Sequence, residues 1–469
     1  MAFSDPVNST SSGNPLIDGL LWGMHWSDGS PAAASLAVYI AGTNGNEQFD
    51  FGGDTVTAKT VSAEVAAFRL SVQLFEAVCN IDITEVTSQS EADIILGAVN
   101  NRDADGNLGV ATPPGEDRGP LSDQQGAVII NFKQYQTDDL SSLQQGGYDF
   151  ISFIHEFGHA VGLKHPHDRG GAGFPKFPGV SSEFGDYGNF DLNQGVFTMM
   201  SYNDGFPTGP EGKQKISDIP SFGWEGTAMA IDIAALQYLY GANMLYHTGN
   251  DVYRLPEINQ SGTFYSTIWD AGGLDTIVAG GDSDCSINLN AATLKLESGG
   301  GGVFSSHDGI LGGFSIANKV TIENARGGGG DDTLIGNKSV NVLSGGEGAD
   351  TLQGDRGADE LRGGSGLDRF VYSQRQDSHG SNADSIKGFV QGEDVIDLQR
   401  IDADGKLGEV DSFAFIADDD FSNQAGELRF EARGERTTVI LADIDGDGTA
   451  DFSILIGGHH TLQSTDFML

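Results

Sequence analysis

Four residues in one short run could do chemistry together: the chain reads His155-Glu156-Phe157-Gly158-His159-Ala160-Val161-Gly162-Leu163-Lys164-His165. Two histidines four apart on a helix share a face, so His155 and His159 can direct ring nitrogens at one ion. Gly162 predicts the helix stop and a sharp turn, which lets His165, only six residues beyond His159, come back as a third ligand. Three imidazoles with a corner left for water are the open coordination expected of one catalytic zinc ion. Glu156, beside the first ligand, reaches that water as a general base. The chemistry predicted is metal-assisted hydrolysis.

The helix carrying this run is read from about Tyr148, with Phe150, Phe153, Ile154, Phe157, Ala160 and Val161 on its apolar side. A second helical pattern covers residues 62–78, with Val65, Phe68, Leu70, Val72, Leu74 and Phe75. Residues 81–86, 93–96 and 127–132 read as short strands. The stretch 127–131 is a candidate sheet edge for pairing with an extended peptide. Helix and strand patterns mixed in this way make the first half α/β or α+β.

Beyond about residue 245 the glycines concentrate, and from Gly327 the chain divides every nine residues: GGGGDDTLI, GNKSVNVLS, GGEGADTLQ, GDRGADELR, GGSGLDRFV. Asp332, Asn341, Asp350, Asp359 and Asp368 hold the sixth slot, and Leu334, Leu343, Leu352, Leu361 and Phe370 the eighth. Each unit is half glycine turn and half strand, so two units complete one coil. Asp332, Asp350 and Asp368 then stack, as do Asn341 and Asp359. Stacked carboxylates repel unless cations lie between them, and carbonyls of the glycine turns, at Gly328, Gly330 and Gly345 among others, complete the oxygen cages that calcium prefers. Several structural calcium ions follow. A further acidic loop, residues 443–452, reads either as one more calcium site or as a solvated acidic turn.

The composition sets limits on partners. A net charge of −42 repels nucleic acid and anionic membranes, and hard cations are its natural counterions. A length of 469 residues allows about two to four domains. Cys79 and Cys285 are expected as buried thiols, since two distant cysteines make no disulfide framework. The first basic residue is Lys59, so no Sec-type leader is read, and apolar stretches such as 32–41 are too short to span a bilayer. The chain either stays in the cytosol or leaves by a route that reads another part of it.

The histidine run resembles that of the metzincin zinc proteases, and Phe197-Thr198-Met199-Met200-Ser201-Tyr202 resembles their Met-turn. With the nine-residue repeat, and with stretches 232–243, 267–276 and 320–324, the chain resembles the serralysin family of secreted RTX proteases over nearly its whole length. That resemblance implies an α+β metzincin-like catalytic domain over 16–245, after a flexible segment 1–15, and an all-β parallel β-roll with the secretion signal over 246–469. It places Met200 under the zinc and makes Tyr202 both a resting zinc ligand and a stabiliser of the oxyanion. Calcium ligands are implied at Asp270, Gly272, Gly273, Asp275, Thr321 and Glu323. A monomer is implied, exported by a type I secretion machinery that reads the C-terminal end, Asp466-Phe467-Met468-Leu469, and acting on protein or peptide substrates outside the cell. The chain departs from the family pattern at Pro166-His167-Asp168-Arg169, after the third histidine, and at His247, which replaces an Arg in a calcium loop with Gly249 and Asp251.

Overall fold

The computed structural model describes residues 5–29, 33–51, 54–115, 126–405 and 410–469. The segment expected to be flexible is tied down from residue 5 onward. β1 (Asp5–Asn8) pairs antiparallel with β2 (Met24–Ser27), and between them Asn14 caps a single helical turn, α1 (Pro15–Asp18). Ser11 and Ser12 donate to the Asp18 carboxylate, and Thr10 meets the Tyr238 hydroxyl at 2.8 Å. Polar side chains that read as loose in sequence act here as caps.

A seven-stranded sheet follows, built from β3 (Ala34–Ile40), the hairpin β4 (Glu47–Phe51) and β5 (Asp54–Ala58), then β6 (Ile81–Glu85), β7 (Ile94–Val99), β8 (Gly109–Ala111) and β9 (Gly126–Asn131). β6, β3, β7 and β9 run parallel in that order, β5 joins β7 at Ala58 and Val99, and β8 pairs antiparallel with the far side of β9. Every residue of β7 and β9 is buried, as interior parallel strands require. The strand expected to be an edge, 127–131, is therefore interior, and the edge is β8. A three-residue Gly-Val-Ala strand is too short to show alternation, which is why it was hidden.

α2 (Ser62–Val78) and α3 (Tyr148–Ala160) match their sequence patterns and cross through edge-to-face rings: Phe68 on Phe153 at 4.7 Å and Phe75 on Phe157 at 5.0 Å. α4 (Ala230–Tyr240) closes the first half.

In the second half, strands alternate between two sheets. Residues Asn324–Arg326, Val342–Glu347 and Glu360–Ser365 pair parallel in one, and Thr333–Ile335, Thr351–Gln353 and Arg369–Val371 in the other. The register is eighteen residues: Leu334 pairs with Leu352, Leu352 with Phe370, and Leu343 with Leu361. All five eighth-slot side chains are fully buried in one core. Glycine fills the first slot of each unit, at 327, 336, 345, 354 and 363, because a Cβ there would collide with the sixth-slot side chain five residues on. Among the described residues no helix is long and apolar enough to cross a membrane, and Cys79 and Cys285 are buried free thiols.

Leu352→Ala removes a side chain that nothing else can replace between two coils. It is expected to cost about 2–5 kcal/mol in guanidinium unfolding of the second half, whereas Val340→Ala, at a side chain 62% exposed, should stay within about 0.5 kcal/mol. Equal costs at the two positions would contradict this packing.

Candidate active site

α3 delivers His155, Glu156 and His159 into a cavity of 580 Å³ bounded on its other side by β8. Its C-terminal carbonyls are closed off by the Trp26 indole on Ala160 O at 2.7 Å and the Tyr240 hydroxyl on Val161 O at 2.6 Å. Gly162 then turns with φ +103°, a left-handed conformation that side chains resist, and a Cβ would lie 2.5 Å from Met24 O. This turn brings His165 back over the helix, as its spacing predicted.

The three Nε2 atoms converge: His159 and His165 are 2.9 Å apart, and His165 and His155 3.1 Å. Ligand nitrogens on a tetrahedral zinc with bonds of about 2.05 Å would be about 3.3 Å apart. Each Nδ1 faces an acceptor and so carries the ring proton. His155 donates to Met199 O at 2.8 Å, His159 to Leu163 O at 3.0 Å, and His165 to the Asp168 carboxylate at 2.6 Å. Three Nε2 lone pairs therefore converge with no proton between them, an arrangement suited to a dication. Burial, with the neighbouring rings, pushes His155 down to about 3 and His159 well below its ordinary value, so both rings stay neutral.

Glu156 is 8% exposed, and burial pushes its carboxyl up to about 8, a value that a neighbouring dication would pull back down. Its side chain packs against Gly109 of β8, where a Cβ would sit 2.6 Å from Glu156 Cγ. Leu108 O and Thr112 N bond to β9, so by alternation Gly109 and Ala111 turn their backbone groups outward along the cavity. Tyr202 stands over the site, its ring 4.6 Å from that of His165 and 5.3 Å from Phe184. Burial and the Glu156 charge hold its phenol protonated.

The turn under the histidines has its own anchor. Met200 is fully buried, and Gly158 must lack a side chain because Met200 Sδ would lie 2.8 Å from its Cβ. Asp232 at the start of α4 accepts from Thr198 Oγ1 at 2.6 Å, Met199 N at 2.7 Å and Met229 N at 3.0 Å. Asp232 thereby fixes the carbonyl that orients His155, a role unassigned in the sequence because the partners are more than thirty residues apart. Asp168 does the same for His165. His167, beside it, stacks on the His165 ring at 4.9 Å.

The sixth-slot residues meet one coil apart, though through backbone rather than carboxylate against carboxylate. Asp332 N donates to Asp350 Oδ1 at 2.9 Å, Asp350 N to Asp368 at 3.1 Å, and Asn341 N to Asp359 at 2.7 Å. The ladder continues through Asp384 and Asp394, which lie outside the nine-residue register and so were not read as part of it. The second oxygens of Asp350, Asp359, Asp368 and Asp384 are buried without a hydrogen-bond partner among the described residues. Orphaned carboxylate oxygens beside glycine-turn carbonyls fit calcium. Gly328 N donates to Asp332 Oδ2, while Gly330 and Gly345 each approach the next coil or a carboxylate too closely for any side chain.

A second group gathers before the repeat. Asp251 N donates to Asp275 Oδ1 at 2.7 Å, Asp275 N to Glu323 at 2.8 Å, and Gly272 N to Asp270 at 2.8 Å. His247, Asp251 and Asp270 place ligand atoms within 4.8 Å of one another, Gly273 packs against the Gly249 carbonyl, and Asp275 Oδ2 is buried without a hydrogen-bond partner among the described residues. Thr321 is exposed, two residues before Glu323. In the loop 443–452, Asp443, Asp445 and Asp451 also come within 4.8 Å, but Asp443 accepts from Gly446 N and Gly448 N and Asp451 from Ile444 N.

A family model described as "Peptidase M10 serralysin C terminal" matches residues 231–469. A serralysin of Photorhabdus luminescens is 36% identical over 418 residues, covering 86% of this chain and 78% of the relative. Serralysin A of Dickeya chrysanthemi is 35% identical over 431 residues, 89% of this chain and 82% of the relative. Metallopeptidase AprA of Pseudomonas marginalis is 33% identical over 438 residues, 91% and 82% respectively.

Two outcomes follow from this geometry. Asp232→Ala should weaken metal binding about 10–100-fold in a competition with chelator; unchanged affinity in the folded variant would remove Asp232 as an anchor of the site. Burial and neighbouring carboxylates raise Asp350 and Asp359 to about 7 from an unfolded value of about 3.9. Their contribution to metal-free stability is therefore full below about pH 4 and lost as pH rises through about 7. In excess chelator the second half should therefore keep more of its β signal in circular dichroism at pH 5 than at pH 8, and the opposite dependence would contradict the burial of these groups.

Proposed function

The chain belongs to the serralysin family and is a zinc metalloendopeptidase, and on that premise we propose that it is secreted, uses Glu156 as general base, and depends on calcium for the fold of its second half. The observation that carries this is the convergence of three Nε2 atoms beside a buried carboxylate in an open cavity. His155, His159 and His165 would hold the zinc, with Tyr202 as a further ligand at rest. We read residues 16–245 as an α+β metzincin-like domain and 246–469 as a calcium-binding parallel β-roll. Calcium would be held by the sixth-slot aspartates with Asn341 and the turns at Gly328, Gly330 and Gly345, and by Asp270, Gly272, Gly273, Asp275, Thr321 and Glu323.

Zinc bound there supplies a polarised water of pKa near about 7 and a Lewis acid for the scissile carbonyl. The chain's residues do the rest. The outward backbone groups of Gly109 and Ala111 pair with the substrate as an added strand and hold it extended across the cavity. Glu156, its rotamer fixed by contact with Gly109, accepts the proton from the attacking water and delivers it to the departing amine. Tyr202, protonated, donates a hydrogen bond to the carbonyl oxygen as negative charge develops on it. The hydrogen-bonded Nδ1 atoms keep all three rings in one tautomer throughout.

Calcium is millimolar outside cells and far scarcer inside, so weak oxygen sites fill only after export. Until then the repulsion among the ladder carboxylates keeps the second half open, which suits passage of an unfolded chain through a type I machinery. The protein acts as a monomer on extracellular proteins or peptides, with neither nucleic acid nor membrane as partner.

Glu156→Gln should retain zinc and lose about 10²–10⁴ in kcat on casein or a peptide, and Tyr202→Phe about 10²–10³ with KM little changed. Activity of the Glu156 variant near that of the parent would remove it as base. At pH 8, withdrawing calcium should erase the β signal of the second half in circular dichroism and millimolar calcium should restore it; a spectrum indifferent to calcium would contradict the dependence.

A further inference from the structure

The cavity does not end at the histidines. Tyr148, Ser152 and Glu156 are spaced four apart on α3 and form one ridge, about 12 Å long, and all three line the cavity. At the far end stands Asp204, two residues past Tyr202, whose carboxylate accepts the Tyr148 hydroxyl at 3.2 Å. Tyr148 is held in place by its N–H on Pro220 O at 2.9 Å and by the Trp224 ring at 5.1 Å. Behind Asp204 lies Glu225, fully buried, with one oxygen accepting from Gly205 N at 3.0 Å and the other without a partner among the described residues.

Asp204 thus faces the cavity, with Glu225 sealed behind it. Lys213 acts on Asp204 from a distance, yet among the described residues no Lys, Arg or His nitrogen lies within 4.0 Å of its carboxylate. A half-buried carboxylate with a face open to a cavity gains from a cation brought in by the ligand.

The side of the scissile bond is set by Glu156. On the reading given above it passes a proton to the leaving amine, so the ridge running from Glu156 to Tyr148 underlies the residue that carries that amine. We propose that Asp204 is a specificity determinant, receiving the cationic side chain of a lysine or arginine placed immediately after the scissile bond. The aliphatic stem of such a side chain lies along Ile151 and Ser152, and its charged head reaches the carboxylate. Arginine is favoured over lysine, because its planar fork matches a carboxylate through two hydrogen bonds. A leucine there would desolvate Asp204 and return nothing to it.

The test uses matched peptides that differ only in that residue: arginine, lysine, leucine or glutamate. With the unaltered protein, kcat/KM for arginine should exceed that for leucine by about 10-fold or more, and for glutamate be lowest. In Asp204→Asn the arginine-to-leucine ratio should fall by about 10-fold, chiefly through KM. A native protein without preference for a cation, or an Asp204→Asn variant with the ratio unchanged, would overturn the assignment. Digestion of a mixed peptide library by the unaltered protein decides the matter even if the variant does not fold: lysine and arginine must be enriched after the cleaved bond, and their absence there refutes it. Failure to cleave any peptide would instead overturn the endopeptidase reading, and this inference with it.

Discussion

Electron-rich groups that repel one another have been folded together in two parts of this chain, and that repulsion is the constraint on which both halves rest. In the first half the His165 Nε2 lies 2.9 Å from that of His159 and 3.1 Å from that of His155. In the second, a ladder of aspartates leaves four buried carboxylate oxygens unpartnered among the described residues. No lysine or arginine among them ion-pairs with either group. Uncompensated burial of this kind is costly, and an external dication is the compensation that fits both donor sets, nitrogen in one and oxygen in the other.

Much of the surrounding structure is arranged to make that convergence possible. Glycine stands where a carbonyl, a sulfur or a carboxylate needs the volume of a Cβ: Gly158 against Met200, Gly109 against Glu156, and the first slot of every nine-residue unit against its own sixth slot. Two carboxylates on the outer side of the histidines hold the frame. Asp232 fixes the Met199 carbonyl that orients His155, and Asp168 orients His165 directly. The sheet ends at the cavity in a short strand, β8. Asp204 extends the same cavity toward a second kind of recognition, by charge rather than by backbone.

The parts that were legible in the sequence share a property: their signal is local or periodic. The helix under His155 and His159, the stop at Gly162 and the eighteen-residue register of Leu334, Leu352 and Phe370 all follow from spacing alone. The parts that were not legible depend on contacts between distant segments. β8 has three residues and no alternation to read, so the sequence puts the sheet edge on β9 instead. Asp384 and Asp394 continue the ladder after 25 and 26 residues rather than 18, and a fixed period passes over them. Asp232 and Asp204 look like ordinary surface acids until the fold buries the first under the turn at Met199 and sets the second on the wall of the cavity. The order in residues 5–15 comes from pairing with Met24–Ser27 and from Asp18, which the polar composition of that stretch does not reveal.

Anomalous diffraction from crystals of the purified protein, collected on both sides of the zinc absorption edge, tests the central claim most directly. A single strong zinc peak about 2.0–2.1 Å from the Nε2 atoms of His155, His159 and His165 is the result this account predicts. No peak at that position, or rings turned away from one another around an empty centre, would contradict it.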